Sequence, residues 1–191
     1  MKEMMNKKYL QYIEEDKKAS SGYYCSGWQS LNPYNIDTEI WKFQKTLRMC
    51  EYFFSTKSKS PFFQLKKLWY AWRFKKLSIQ LGFTIPPYVF GPGLRILHRG
   101  TIIVNGQIGS NCIISPDVVI GTKAGFISMV PTIGDHVYIG PGAKIYGNIV
   151  IADGCAIGAN AVVNKSFPEP DTIIAGIPAK AIGKVNRSLK H

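Results

Sequence analysis

From Phe90 onward a bulky apolar residue returns at every sixth position: Ile96, Ile102, Ile108, Ile114 and Ile120. After one extra residue the beat resumes at Ile133, Ile139, Ile145, Ile151, Ile157 and Val163. Four positions behind these lie small or apolar side chains, among them Leu94, Gly100, Gly106, Cys112, Val118, Ala124, Val137, Ala143, Ile149, Cys155 and Ala161. Glycine follows the apolar residue directly at Gly91, Gly109, Gly121, Gly134, Gly140 and Gly158. A helix repeats every 3.6 residues and a strand every 2, so neither produces this spacing. A hexapeptide repeat produces it by winding short strands into a parallel β-helix.

Three hexads make one triangular coil, with the large aliphatic inside and small residues where the chain turns. Coils then stack at the ordinary strand spacing of about 4.8 Å. The count predicts one interior ladder of Ile96, Ile114, Ile133 and Ile151, and another of Ile102, Ile120, Ile139 and Ile157. The break at 126–132 is where a loop leaves the prism, and such interruptions favour functional sites.

The pattern before residue 82 is helical. Residues 1–20 form a charged helix, and SSGYYCSGWQSLNPYN reads as turn and loop. Asp37 caps a second helix in which Ile40, Phe43, Leu47, Cys50 and Phe54 share a stripe. After the breaker STKSKSP, the run PFFQLKKLWYAWRFKKL predicts a third helix with Leu65, Leu68, Trp69 and Trp72 on one side and five basic residues around it. The favoured reading packs that stripe on a neighbouring element while lysine stems snorkel. The alternative lays segment 61–76 on an anionic membrane surface. Beyond Phe167 the chain becomes a proline-punctuated tail. Three parts follow: a helical extension over 1–81, a β-helix over 82–168, and a tail over 169–191.

Charge narrows the ligands. The chain of 191 residues carries a formal net charge of +12, which favours phosphorylated ligands, nucleic acid or an anionic membrane face. No recognised nucleic-acid motif accompanies it, so no nucleic-acid partner is expected. No apolar stretch reaches spanning length, and MKEMMNKKYLQYIEED is too charged for a signal peptide, which points to a soluble cytoplasmic protein. Cys112 and Cys155 fall in small inward slots, Cys25 and Cys50 in the extension. No metal-ligand spacing appears, so reduced buried thiols are expected and no metal.

Of three histidines, His98 sits in GPGLRILHRGTIIVN, two residues after Ile96, in a coil wall beside glycines. His136 takes an outward slot, and His191 is terminal. GLRILHRGTIIVN, IGSNCIISPDVVIGT, IGDHVYIGPGAKIYGNIVI, IGANAVVNKSFP and AGIPAKAIGKV together resemble the left-handed β-helix acyltransferases, most closely their serine acetyltransferase-like branch. The resemblance spans residues 82–185. It implies a left-handed β-helix with a helical N-terminal extension, a homotrimer, and acetyl-CoA held between adjacent prisms as acetyl donor. His98 matches the family's general base. Pro141 and Ala159 match the pantetheine track, Asn164 and Lys165 the pair after the last coil, and Lys180 and Lys184 the phosphate-binding cations.

The acceptor is where the chain departs from that branch. Leu97 stands where the family has an aspartate before the histidine. Met129 and Val130 stand where it has an Arg-His pair, and an upstream aspartate is replaced near Phe83. An apolar lining without charge partners suits a neutral acceptor, so the expected reaction is acetylation of a sugar hydroxyl in capsular or other surface polysaccharide biosynthesis. The enzymatic alternative is serine O-acetylation in cysteine biosynthesis, and the non-enzymatic one a trimeric β-helix scaffold.

Overall fold

The computed structural model describes residues 2–20, 37–125 and 128–186. Cys25, His191, Phe126 and the SSGYYCSGWQSLNPYN loop beyond Ser20 lie outside them, and the capping role expected of Asp37 rests on a side chain that is not described.

Helices α1 (Lys2–Ala19), α2 (Asp37–Ser55) and α3 (Pro61–Leu81) precede a three-faced prism. Its first face stacks β1 (Phe83–Thr84), β3 (Ile102–Val104), β6 (Val118–Gly121), β9 (Lys144–Tyr146) and β12 (Val162–Val163). The second stacks β4 (Gln107–Ile108), β7 (Thr132–Ile133) and β10 (Val150–Ile151). The third stacks β2 (Arg95–Ile96), β5 (Ile113–Ile114), β8 (Tyr138–Ile139), β11 (Ala156–Ile157), β13 (Thr172–Gly176) and β14 (Ala179–Lys184). All pairs are parallel except β13 with β14, so the supposed tail is a hairpin that closes the third face.

The interior ladders differ from the expected ones. Ile96, Ile114, Ile139 and Ile157 share one rung column, while Ile108, Ile133 and Ile151 share another. Ile120 pairs with Val104 and Ile145, and Ile102 with Val118. The cause is the loop between β6 and β7. Ile114 and Ile139 are paired at 25 positions, seven more than an 18-residue coil. An insertion of one and an insertion of seven leave the same phase in a period of six. Sequence periodicity alone cannot separate them. Ala124, expected inside, is therefore exposed in the loop.

Each corner repeats its backbone. Between the second and third faces Gly93, Asn111, His136, Gly154 and Asp171 all have positive φ, and between the third and first Gly100, Asp117, Gly142 and Asn160 do. Asn and Asp tolerate that region better than most residues. At the first of these corners a side chain from each coil closes the next. The Ser110 N–H donates to Asp135 Oδ1 at 2.6 Å, and the Asp135 N–H to Asp153 Oδ1 at 2.8 Å. Gly109 and Gly134 make room for these carboxylates, since a Cβ there would lie 2.2 and 2.1 Å from them.

The helices cover the open end of the prism. Phe43 is fully buried, edge-on to Phe83 at 5.0 Å and stacked on Phe74 at 5.4 Å. Gln44 Nε2 donates to Leu94 O. One apolar core runs from Ile40, Phe43 and Leu47 through Leu77 and Leu81 into the coils. At the end of α2 Phe53 rather than Phe54 is buried, with Phe54 turned outward. The expected packing of the Leu65, Leu68, Trp69 and Trp72 stripe does not occur: all four are exposed, and α3 is anchored by Phe74, Leu77 and Leu81. Helical spacing identifies a shared face but not which way it points.

Candidate active site

His98 stands at the corner between the third and first faces. Below it the register is regular: the Leu97 N–H donates to Ile114 O at 3.0 Å, Ser115 to Ile139 at 3.0 Å, Gly140 to Ile157 at 2.8 Å and Gly158 to Ile174 at 2.8 Å. One residue further along each coil come His98, Pro116, Pro141, Ala159 and Gly176, so these form one column at the corner. The Gly142 N–H donates to Pro116 O at 3.0 Å and the Asn160 N–H to Pro141 O at 2.8 Å, which locks the column from behind. Three strand spacings separate His98 from Ala159, about 14 Å.

The histidine's own corner is enlarged. Eight positions separate the inward rungs Ile96 and Val104, against six between Ile114 and Ile120, because Val104 rather than Ile102 pairs with Ile120. The two added residues leave His98 and Arg99 exposed. Among the described residues nothing is hydrogen-bonded to the His98 ring. His136 occupies the corner between the second and third faces, away from this column, with φ 57°.

The remaining candidates separate. Pro141 and Ala159 are exposed within the His98 column. Lys180 pairs with Ala175, next to Gly176, at the column's base. Lys184 pairs with Thr172 at the other end of β14, where its Nζ meets Glu169 Oε2 at 3.2 Å and Pro170 O at 3.0 Å. Asn164 and Lys165 follow β12 at the corner between the first and second faces, with Lys165 Nζ 5.6 Å above the Phe167 ring. Exposed Met129 and half-buried Val130 belong to the loop at that same corner. One prism therefore presents the histidine and the loop on different edges.

Outward rungs beside the histidine corner are mostly apolar: Ile103, Val119 and Val162 on the first face, in one column with Thr84 and Lys144, and Ile113, Tyr138, Ala156 and Ile173 on the third, in one column with Arg95. The second face shows Gln107, Thr132 and Val150 instead. Hexad counting missed this asymmetry because it tracks inward positions; the unbroken runs Ile102-Ile103-Val104 and Val118-Val119-Ile120 were visible signs of it.

Prism, column and repeat define a left-handed β-helix of the hexapeptide-repeat acyltransferase type. Residues 131–165 match the bacterial transferase hexapeptide (six repeats) family. The chain is 31% identical over 172 residues to a serine acetyltransferase of Buchnera aphidicola subsp. Acyrthosiphon pisum, covering 85% of this chain and 53% of that protein. It is 39% identical over 106 residues to one from Mycobacterium tuberculosis, covering 52% and 44%. A Brucella abortus serine acetyltransferase solved in complex with coenzyme A superposes with a TM-score of 0.72 at 25% identity, covering 96% of this chain and 72% of that one. The chain thus carries the hexapeptide-repeat transferase motif and has serine acetyltransferase homologues, and it spans about half the length of these curated relatives.

These matches overturn the expected sugar acceptor and its capsular character, since the homologues are serine acetyltransferases over most of the chain. The error was physical. Leu97, Met129 and Val130 remove one way of holding an amino acid, but apolar side chains supply no hydrogen bonds for a sugar either.

Proposed function

We propose that the protein is an acetyl-CoA-dependent serine O-acetyltransferase acting as a homotrimer. The observation that supports this most is the homology to a serine acetyltransferase over 85% of the chain. His98 takes the proton of the serine hydroxyl, and the oxygen attacks the thioester carbonyl. Collapse of the tetrahedral adduct expels the coenzyme A thiolate, which recovers the proton from the imidazolium. O-acetylserine and coenzyme A leave. Neutral imidazole suits this role because its ordinary pKa is about 6.5. A backbone N–H in the groove is the donor for the oxyanion.

The pantetheine arm runs down the His98 column past Pro141 and Ala159, and Lys180 meets phosphate at its base. Asn164, Lys165 and the loop lie on another edge, so a neighbouring prism brings them to the column. The mostly apolar outward rungs on both sides of the histidine corner, interrupted by Lys144 and ended by Arg95, support such packing, because surface strands facing water alternate with polar residues. Lys184 is the phosphate cation that must first leave Glu169. Arg99, next to His98, is the cation for the serine carboxylate in place of the absent pair.

Coenzyme A release from acetyl-CoA and L-serine, with O-acetylserine identified by mass, tests the reaction. Absence of turnover by a trimer that still binds coenzyme A would overturn it. Sedimentation as a stable monomer at micromolar concentration would remove the shared site.

A further inference from the structure

The helix that joins the extension to the prism has two apolar sides. Phe74, Leu77 and Leu81 face the core. At 100° per residue, Leu68, Ile79, Trp72, Leu65, Trp69 and Phe62 fall within an arc of about 120° on the other side. All six are exposed, with Leu68 at 68%, Ile79 at 73% and Trp72 at 59%. Cations share this surface with the rings. Lys66 Nζ lies 4.4 Å from the Phe62 centroid, the Arg73 guanidinium carbon 5.3 Å from Trp69, and Lys76 Nζ 5.5 Å from Trp72. Lys67 caps Phe54 of the adjacent α2 at 4.6 Å. No Asp or Glu occurs anywhere between Pro61 and Leu81.

We propose that the outer side of α3 docks on an anionic lipid surface, with its tryptophans, leucines and isoleucine in the interface and its cations against headgroup phosphates. The charge pattern selects this occupant. A symmetric contact with a second copy would press these cations against the same cations with no acid to separate them. A wide arc of aliphatic and aromatic residues that holds Lys76 and is edged by Lys75, Arg73 and Lys66 suits the boundary between acyl chains and headgroups. A helix of this length lies flat over about 30 Å. It is too charged to cross: among the described residues no helix is long and apolar enough to span a membrane. The docking is independent of the acyl-transfer reaction.

Flotation of the full-length protein with phosphatidylcholine vesicles, with and without phosphatidylglycerol, tests it. Binding is expected only with phosphatidylglycerol and is expected to fall as salt rises. Leu68→Glu/Trp72→Glu should abolish it. Lys75→Gln/Lys76→Gln, which leaves the apolar residues intact, should weaken it about thirtyfold, from roughly 1 kcal/mol per cation. Both pairs replace exposed or outward-edge residues, so a wild-type unfolding midpoint checks the fold. Failure to float at low salt, equal flotation on neutral vesicles, or unchanged flotation of both variants overturns the proposal. So does self-association, or retention on RNA, that the Glu variant abolishes while lipid binding is absent.

Discussion

Arg48 Nε donates to Asp16 Oδ2 at 2.8 Å, joining α2 to α1 where both side chains are buried against the first coil. Arg48 Nη2 reaches Asp16 Oδ1 at 3.2 Å, and Nη1 reaches Glu51 at 3.1 Å, Phe90 O at 2.9 Å, while Nη2 also meets Gly91 O at 2.6 Å. Asp16 accepts further from the Leu94 N–H at 2.9 Å, and Glu51 from the Tyr88 N–H at 2.8 Å. One guanidinium thus ties two helices to the two strand edges that open the prism.

Arg48→Ala should cost about 3–5 kcal/mol, because it leaves two buried carboxylates without a counter-charge. Burial pushes the Asp16 carboxyl above its ordinary range, against the pull of Arg48. With Arg48 gone only the backbone N–H groups of Leu94 and Gly93 still oppose that rise, so folded Asp16 holds its proton where unfolded Asp16 has lost it. Stability of the variant should then fall as pH rises through and above 4, and part of the deficit at pH 7 should be recovered at pH 4. Urea midpoints at the two pH values check both statements.

His98→Ala should lower the rate of acetyl transfer by about 10²- to 10⁴-fold while coenzyme A binding persists. His136→Ala, at a corner remote from the column, should keep near wild-type activity. Initial rates combined with calorimetric titration of coenzyme A separate the two effects.

Arg99→Gln should raise the KM for L-serine about tenfold or more with little change for acetyl-CoA, since a charge-assisted hydrogen bond to a carboxylate is worth about 1.5–3 kcal/mol. Lys in its place should restore part of the loss. Equal changes for both substrates would place Arg99 in the fold rather than at the acceptor.

The buried thiols should be silent in the native protein. Burial, with Glu51 nearby, pushes Cys50 up to about 12, burial pushes Cys112 up to about 11, and burial raises Cys155 as well. In a Cys25→Ser background, disulfide reagents at pH 8 should label none of the three until urea is added. Because the folded state holds these protons, their stabilising effect is present below the unfolded pKa near 9 and is lost as pH rises toward about 11–12.

Gly140→Ala should destabilise the prism by about 1–3 kcal/mol, since a Cβ would lie 2.7 Å from Ile157 O, a backbone atom of the next coil. Gly121→Ala, where a Cβ meets nothing within 4 Å, should change stability by no more than about 0.5 kcal/mol. Thermal unfolding of the pair distinguishes close coil approach from a general intolerance of substituted glycines.

The sequence by itself determined the prism and the identity of its lining, because a period of six leaves inward positions no other geometry to satisfy. It also located the three helices, and family resemblance singled out His98 as the expected general base. Register was decided only in three dimensions. A loop that adds one residue or seven keeps the same phase, so Ile114 found Ile139 rather than Ile133 through backbone pairing alone. The eight-residue corner at His98 is hidden for a similar reason: Ile102 and Val104 are both apolar and both buried, and pairing chose Val104 for the Ile120 rung. The Arg48 cluster joins Asp16 to Leu94 across 78 positions, a distance at which local pattern carries no information. The outward turn of Trp69 and Trp72 was likewise settled by packing, since Phe74, Leu77 and Leu81 bury against the core and leave the opposite side of the same helix to solvent.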